Sequence, residues 1–273
     1  MRNILCVTLI ALLGGCTSTS VTEKYQDKRN DIINVKDKVI EFETGNVLIG
    51  SVSRLYMSNK CLLIADHKSV DKQIHIFNKN DFSYLTSIGN FGEGPEEITV
   101  MGCLAIDEAH HQLYVSDHAK QKIFSYDMDS VMVDSLYKPQ VKTAMNETLF
   151  PSEYQYINDT LSIAVLIKPT STSTFNQFLG RWNMNTGEMI PMKYTHPDIQ
   201  KKRITFAASE KAGIYVECYT RHDLMTICSL DGELLYNIYG PDWDGGNGNK
   251  LQSFGTVMIG NDKIFVSYCG EDY

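Results

Sequence analysis

The sequence lacks the short motifs that most often identify an enzyme's chemistry. It has no Gly-x-Ser-x-Gly elbow for a nucleophilic serine and no His-Glu-x-x-His pair for a zinc site on a helix. It has neither a Cys-x-x-Cys pair nor the cysteine and histidine spacing of a structural zinc site. After its first residues it also has no apolar run long enough to cross a bilayer as a helix. Nucleophilic catalysis therefore has no positive support in the sequence.

Positive charge is also scarce. The chain has 25 lysines and arginines against 33 aspartates and glutamates, which gives a formal net charge of −8 at pH 7. A nucleic-acid-binding surface needs an excess of cations facing the phosphates, and broad contact with anionic lipid needs the same excess. We therefore predict no nucleic-acid partner, and contact with a membrane only through a covalent anchor.

Residues 1–15 are predicted to be a signal peptide. Arg2 supplies a single positive charge, and the apolar run Ile4–Leu13 has the length of a signal-peptide core rather than of a membrane span. The run ends at Leu13-Gly14-Gly15-Cys16, which resembles the bacterial lipoprotein box, in which the cysteine thiol carries a diacylglycerol. This pattern predicts lipidation at Cys16, with palmitate among the acyl chains. The alternative is an ordinary secretory signal with a chance cysteine.

The residues after Cys16 predict where the protein is held. Thr17 stands where an Asp would resemble an inner-membrane retention signal, which favours the outer membrane of a Gram-negative bacterium over the inner one. Several acyl chains on one terminus give stable anchoring. Residues 16–34 are polar and have no hydrophobic period, so they are predicted to be a tether. Residues 35–273 are predicted to form the folded domain.

Five of the seven cysteines fall within this domain: Cys61, Cys103, Cys218, Cys228 and Cys269. Their number is odd, and each lies in or beside a strand-like run, where a free thiol behaves as a small apolar residue. We predict buried free thiols. Cys218 and Cys228 flank a predicted hairpin turn and are the one pair worth testing for a disulfide.

An apolar run recurs about every 50 residues along the chain, at Leu62–Asp66, Leu113–Asp117, Leu161–Val165, Ile214–Cys218 and Ile264–Tyr268. One strand-like run precedes each copy and, in the first four, two follow it after polar turns. Four short antiparallel strands per repeat, with no helical period, are typical of a β-propeller blade. A β-sandwich also has short strands but no reason to repeat at this interval. The predicted fold class is all-β, a β-propeller of four-stranded antiparallel blades.

The repeat gives four complete blades and a partial fifth. Val131–Leu136 is predicted to be the fourth strand of the second blade. Val35–Phe42 is predicted to be a lone strand that could complete a terminal blade and remove its open edge. Two arrangements stay open: an incomplete ring, or a ring that closes with fewer blades. We expect the incomplete ring.

The stretch Ile88-Gly89-Asn90-Phe91-Gly92-Glu93-Gly94-Pro95-Glu96-Glu97-Ile98 resembles the inter-blade link of six-bladed propellers of the NHL and TolB-like kind. Leu113–Asp117 and Lys122–Asp127 resemble the blade core of the same family. The chain as a whole is most similar to lipid-anchored six-bladed propeller proteins of Bacteroidetes. The resemblance implies a six-bladed ring, of which this chain would be a truncated form.

In a propeller, the loops that leave the second strands and the links between blades lie on one face. This places several polar residues on the predicted ligand face, and the candidates are Asp66, His67, Asp117, His118, Arg221, His222, Asp223, Asp242, Trp243 and Asp244. His110 and His111 fall in a turn on the opposite face, where we expect them to be solvated.

Two interpretations of these candidates stay open. Paired carboxylates and imidazoles could hold zinc or calcium, and Trp243 could stack on a sugar. The alternative is structural: an aspartate at the end of a strand usually caps the next turn, and adjacent strand residues point to opposite sides. The loop around Trp243 does not have EF-hand spacing. We favour the structural role for Asp66 and Asp117.

These observations favour a non-catalytic binding or scaffold module, whose ligand would be a protein, a peptide or a glycan. The alternative is a metal-assisted hydrolase or lyase with its site on the loop-rich face or in the central channel. Metal analysis of the purified protein would discriminate the two, since stoichiometric zinc or calcium would favour the enzyme.

Overall fold

Nearly all regular structure in the protein is β-strand. The structure is a computed structural model, and it describes residues 21–28, 36–38, 40–248 and 250–272. The predicted signal peptide and Cys16 lie outside the described residues. Within them, the strands form four sheets of four or five strands and one sheet of two strands. No helix in these ranges is long and apolar enough to cross a membrane.

A short strand, β1 (Glu23–Tyr25), precedes the blades. The first blade consists of β2 (Ser53–Met57), β3 (Cys61–Asp66), β4 (Lys72–Asn78) and β5 (Tyr84–Asn90). The second consists of β6 (Met101–Asp107), β7 (Gln112–Asp117), β8 (Lys122–Asp127) and β9 (Gln140–Ala144). The third consists of β10 (Phe150–Asn158), β11 (Leu161–Pro169), β12 (Phe175–Trp182) and β13 (Met189–Pro191). The fourth consists of β14 (Ile204–Ser209), β15 (Ile214–Tyr219), β16 (Leu224–Ser229) and β17 (Leu234–Tyr239). The last sheet consists of β18 (Lys250–Gly260) and β19 (Lys263–Asp272).

The blades form where the sequence repeat predicts them. Each blade is an antiparallel meander, and in the first one Leu63 pairs with Tyr56 on one side and with Ile76 on the other. The whole of β3 is buried, because a central strand of a blade has a neighbouring blade or loop against each face. β-Branched and aromatic side chains suit such pleated, covered surfaces. The predicted all-β propeller with four complete blades and a partial fifth is confirmed.

The core lies between successive blades. Leu63 and Ile76 of the first blade pack in one cluster with Leu104 and Val115 of the second. Equivalent clusters join the second blade to the third, the third to the fourth, and the fourth to the two-stranded sheet. Buried apolar surface of this kind is the main stabilising contribution in a fold without disulfides. The five domain cysteines are free thiols, four of them buried, and Cys218 and Cys228 do not pair.

The predicted fourth strand of the second blade is wrong. A short helix, α1 (Met128–Val131), lies at the start of that segment, and β9 follows later. Asp127 caps the helix by accepting a hydrogen bond from the amide of Ser130 at 2.7 Å, as aspartate commonly does at helix N-termini. The apolar side chains that suggested the strand, such as Val133 and Leu136, are exposed. Val131 is buried as part of the helix, so the segment lacks the alternating buried face of a strand.

The N-terminal strand also differs from the prediction. Within Val35–Phe42, Lys36–Lys38 form a 3-10 turn and residues 40–42 have no regular structure, while residues 35 and 39 lie outside the described ranges. The strand that adds to a blade is instead β1, which lies in the predicted tether. It pairs in parallel with β17, the outer strand of the fourth blade. The polar composition of residues 16–34 gave no indication of this strand, which is held by hydrogen bonds of Glu23 and by the stacking of Tyr25 on Tyr239.

Candidate functional site

The inter-blade links and the loops that leave the second strands meet on one face, which we call the link face. The opposite face, which carries the first-to-second and third-to-fourth strand turns, is called the turn face. Asp66 connects a link with such a loop: its carboxylate accepts from the amide of Gly50 at 2.7 Å and from that of Lys68 at 2.9 Å. Asp66 is buried, so this carboxylate serves as a cap.

Asp117 has the same position in the second blade and makes more contacts. Its fully buried carboxylate accepts hydrogen bonds from four backbone amides, at 2.8 to 3.2 Å. The donors are Thr99, Val100, Ala119 and Lys120. A carboxylate that is buried and so fully hydrogen-bonded holds the link and the loop together. The structural interpretation of Asp66 and Asp117 therefore accounts for their geometry.

The glycine-rich link is held by Lys120. Its ammonium donates to the carbonyls of Gly92, Gly94 and Glu97 at 3.2, 2.7 and 2.6 Å. A Cβ atom at Gly92 would lie 2.0 Å from the Glu97 carboxylate, so a larger residue here would displace that carboxylate from the Gly94 amide, from which it accepts a hydrogen bond. The three carbonyls face the lysine, so its ammonium is committed to the link. The link shapes the boundary between two blades.

His67 and His118 follow the two capping aspartates but pack away from them. His67 Nδ1 lies 3.2 Å from the carbonyl oxygen of Met101 in the next blade. His118 lies over Gly102, where a Cβ atom would be only 2.5 Å from Nε2, and its ring meets Phe150 edge-on. Both rings fill space beside the first strands, and neither contacts the aspartate that precedes it as a metal pair would require.

The structure brings the other candidates together at the fourth blade. The buried Asp223 accepts from the amide of Asp242 at 3.1 Å, and His222 Nδ1 lies 3.8 Å from an oxygen of Asp244. The Trp243 ring packs against His222, Tyr239 and His196, at centroid distances of 6.0, 5.0 and 5.6 Å. Arg221 is exposed. Packing between the link and the blade accounts for the partly buried indole.

The potential metal ligands that do converge lie on the turn face. Asp107, His110 and Asp159 each place a ligand atom within 4.8 Å of the others, and in the described part of the chain they are the one such group. His110 Nδ1 is 2.8 Å from Asp107 and 4.0 Å from Asp159. Two tyrosines, Tyr114 and Tyr156, already donate to these carboxylates. This group could not be recognised from the sequence, because Asp107 and His110 belong to the second blade whereas Asp159 belongs to the third.

Among the cavities between the described residues, two that are large enough for a small ligand lie between neighbouring blades. The first, of about 490 Å³, lies on the link face between the third and fourth blades, and we call it the link-face pocket. Hydroxyl, amide and cationic side chains dominate its lining, among them Thr174, Phe175, Gln177, Lys201, Lys202 and Arg203. The second, of about 400 Å³, lies on the turn face between the first two blades and is mostly apolar, with Leu63, Leu85, Ile106, Leu113 and Met132 in its walls.

None of the ten predicted ligand-face candidates lines the link-face pocket. The pocket forms between the loop after β11 and the link from Thr195 to Arg203. The third repeat ends in Val165 rather than in an aspartate, so the loop after it was not predicted to be part of a site. A hydroxyl-rich run from Thr170 to Thr174, followed by an aromatic residue, was the signal that could have identified it.

Buried histidines predict acid sensitivity. Burial lowers the pKa of five imidazoles, those of His67, His75, His118, His196 and His222. Because the unfolded chain binds protons more readily than the folded one, the free energy of unfolding falls as the pH falls below about 6.5. We expect a lower melting temperature at pH 5.5 than at pH 7.5, measured by circular dichroism.

His110 has a raised pKa, so its effect on the pH dependence of stability is opposite to that of the five histidines, and it serves as the control. The hydrogen bond and charge of Asp107 raise the pKa of His110, so its contribution is present at low pH and is lost as the pH rises. A His110→Gln variant should therefore show a steeper loss of stability on acidification than the parent. A melting temperature that stays constant or rises between pH 7.5 and 5.5 would show that the buried imidazoles do not control the response.

The comparisons with known proteins agree with the propeller fold. A family model described as a 6-bladed beta-propeller, DUF5128, matches residues 17–180. A protein from Bacteroides fragilis NCTC 9343 that is described as exported is 13% identical, with a TM-score of 0.49, over 80% of this chain and 60% of its own. A DUF4221 family member from Bacteroides vulgatus ATCC 8482 is 11% identical, with a TM-score of 0.47, over 67% of this chain and 56% of its own.

A chain from a nidogen/laminin complex is 10% identical, with a TM-score of 0.50, over 77% of this chain and 68% of its own. Such low identity shows the fold alone. No curated protein matches the sequence. The chain spans 60% and 56% of the two Bacteroides proteins. Since the family model matches more than half of the residues, the chain belongs to this family of six-bladed β-propellers.

Proposed function

We propose that this protein is an extracytoplasmic, lipid-anchored binding module whose ligand, a protein, a peptide or a glycan, docks on the link face. The observation that carries the proposal is the link-face pocket, because it is preformed and lined by side chains that can bind a polar ligand. Propellers offer many loops on one rigid face, which suits binding without catalysis. The β-propeller fold supports such a module or scaffold in general terms.

The N-terminal sequence supports the anchor. Leu13-Gly14-Gly15-Cys16 has the lipoprotein pattern, and the similarity of Ile88–Ile98 to links of NHL and TolB-like propellers points to lipid-anchored relatives. Thr17 favours the outer membrane. Lipidation at Cys16 would join the protein to the bilayer without any spanning segment.

The docked strand β1 supports an orientation relative to that anchor. β1 is parallel to β17, which runs from the turn face to the link face, so the chain enters β1 from the turn face. The Glu23 carboxylate accepts from the Asn237 amide and the Tyr239 hydroxyl, and Tyr25 stacks on Tyr239 at 4.7 Å. Glu23 follows Cys16 by seven positions, and a chain of that length can span at most roughly 25 Å. The turn face would therefore lie towards the membrane, and the link face away from it.

A Cys16→Ala variant tests the anchor. We expect it to take up no labelled fatty acid and to leave the membrane fraction, because the thiol is the acylated group. The matched control is Cys6→Ala, which changes a cysteine within the predicted signal peptide and should leave acylation unchanged. Labelled fatty acid that still enters Cys16→Ala would refute the lipoprotein assignment.

A metal-assisted hydrolase or lyase is the second candidate, and the observation that favours it is the Asp107, His110 and Asp159 group. These residues offer imidazole and carboxylate ligands suited to zinc, or oxygen ligands suited to calcium. Metal analysis of purified protein after incubation with zinc or calcium tests it. Stoichiometric metal that is lost in Asp159→Asn, and retained when the exposed Asp129 is changed to Asn, would favour the enzyme.

A further inference from the structure

We propose that the link-face pocket binds an acidic saccharide, that is, a sugar bearing carboxylate or sulfate groups. This inference rests on the proposed binding function and names the class of ligand. The pocket lies between the third and fourth blades and has a volume of about 490 Å³. Its lining differs from the rest of the chain in charge, in aromatic arrangement and in hydrogen-bonding capacity.

The charged residues that line the link-face pocket are all cations. Lys201, Lys202 and Arg203 line the pocket, and no aspartate or glutamate is among its lining residues, although the whole chain has a net charge of −8. Lys202 is already paired, since its ammonium lies 2.8 Å from the buried carboxylate of Glu217. The exposed Lys201 and Arg203 therefore set the charge that a ligand would meet. This local excess of positive charge favours an anion.

Arg203 is held in place for such an anion. Its guanidinium lies 4.6 Å from the centroid of the Phe175 ring, and its Nη1 donates to the carbonyl of Lys202 at 2.8 Å. A guanidinium stacked on a ring keeps its remaining N–H groups in one plane, which suits the two oxygens of a carboxylate or sulfate. Because this side chain is already ordered, binding costs less conformational entropy.

The opposite wall offers groups that match sugar hydroxyls. Thr170 and Thr174 line this wall, and their hydroxyls lie 2.7 Å apart. The hydroxyl of Ser171, which lies outside the lining, is 2.8 Å from that of Thr174 and helps to fix the loop. Gln177 also lines the pocket and brings an amide side chain to this wall. Asn176 and Gln200 add further amides.

An acidic peptide would satisfy the cations but not the rest of the lining. Peptide ligands commonly anchor through apolar side chains in apolar pockets. Here the apolar lining residues are Phe175, Phe178 and Ile199, and Ile199 is buried in the core cluster between the blades. The pocket thus combines cations, hydroxyls and amides with the faces of two phenylalanines, and the aliphatic side chain in its lining is buried in the core. This combination fits a sugar acid better than a peptide.

The test uses the protein from residue 17 to residue 273 without the lipid, in isothermal titration. The probes are short oligogalacturonate, a sulfated oligosaccharide, neutral oligogalactose and oligoglutamate. We expect the two acidic saccharides to bind and oligogalactose to bind more weakly. Arg203→Gln and Lys201→Gln should each weaken binding about tenfold, which corresponds to the loss of one contact worth about 1.4 kcal/mol. Lys211→Gln, which removes an exposed cation on the turn face, should leave the affinity unchanged.

The outcomes separate the ligand class from the binding function. Binding of oligogalactose alone would overturn the requirement for an anion, and binding of oligoglutamate alone would overturn the saccharide. In either case a dependence on Arg203 would leave the link face as the binding surface. Acidic saccharides that bind equally to the parent and to Arg203→Gln would overturn this pocket. If none of the probes binds, the acidic saccharide is wrong, and the lipid anchor is still tested separately through Cys16.

Discussion

Asp117→Ala is expected to lower the free energy of unfolding by about 3 kcal/mol. The carboxylate is fully buried and accepts from four backbone amides of the link and the following loop. Removing it leaves those donors without partners, and each buried donor left unsatisfied costs about 1 to 3 kcal/mol, less where water enters. Chemical denaturation of the parent and the variant measures the difference.

Two controls define the origin of this loss. Asp129→Ala removes an exposed carboxylate on the turn face that bonds to His111, and it should change stability by less than about 0.5 kcal/mol. Asp117→Asn retains one acceptor oxygen and should fall between the parent and the alanine variant. If Asp117→Ala is as stable as Asp129→Ala, the carboxylate does not hold the link, and a role in ligand binding must be reconsidered.

Lys202→Met is expected to destabilise the fold by about 3 to 5 kcal/mol. Lys202 and Glu217 form an ion pair at 2.8 Å, with 7% and 2% of their side-chain surfaces exposed. The lysine ammonium also lies 5.6 Å from the centroid of the Tyr219 ring. Without the lysine, the Glu217 carboxylate would remain buried with no cation, and the protein would have to protonate it or expose it.

The double variant Lys202→Met/Glu217→Leu makes the interpretation specific. Removing both charges should recover most of the lost stability, because a well-packed apolar pair is close to neutral relative to a buried ion pair. The matched control is Lys193→Met, which breaks the exposed pair with Glu233 and should cost less than about 1 kcal/mol. A double variant as unstable as Lys202→Met alone would show that the lysine acts through packing rather than charge.

The blades were predictable because a local pattern repeats. Each copy of the apolar run, from Leu62–Asp66 onwards, pairs with neighbours close in sequence, so strand order follows chain order within each blade. The capping role of Asp66 and Asp117 could also be predicted from the sequence, since an aspartate at the end of a strand commonly accepts hydrogen bonds from the backbone of the next turn. The repeat therefore predicted the blades, and also the two aspartates that cap the loops of the link face.

Features that depend on distant partners were not predictable. Glu23 binds Asn237, and the two residues are more than 200 positions apart. Lys202 pairs with Glu217 through the fold of the fourth blade, and nothing local marks either as buried. The link-face pocket likewise needs a loop of one blade and the link that leads to the next. Local patterns identify strands and turns, whereas such sites depend on how the blades stack.

The proposal that the link face points away from the membrane can be tested by measuring how close each face of the lipidated protein lies to the bilayer. Single fluorophores would be placed at Lys201→Cys on the link face and at Lys211→Cys on the turn face, after the exposed Cys269 is changed to Ser. Both lysines are exposed; Lys201 lies in the link before the fourth blade and Lys211 in the first turn of that blade. Quenchers in the lipid headgroups of vesicles would report proximity.

We expect stronger quenching at Lys211→Cys than at Lys201→Cys, because the chain enters β1 from the turn face, and in the proposed orientation the link face points away from the membrane. In the Cys16→Ala protein, neither label should be quenched. Stronger quenching at Lys201→Cys in the lipidated protein would place the link face against the bilayer and contradict its role as the outward binding surface.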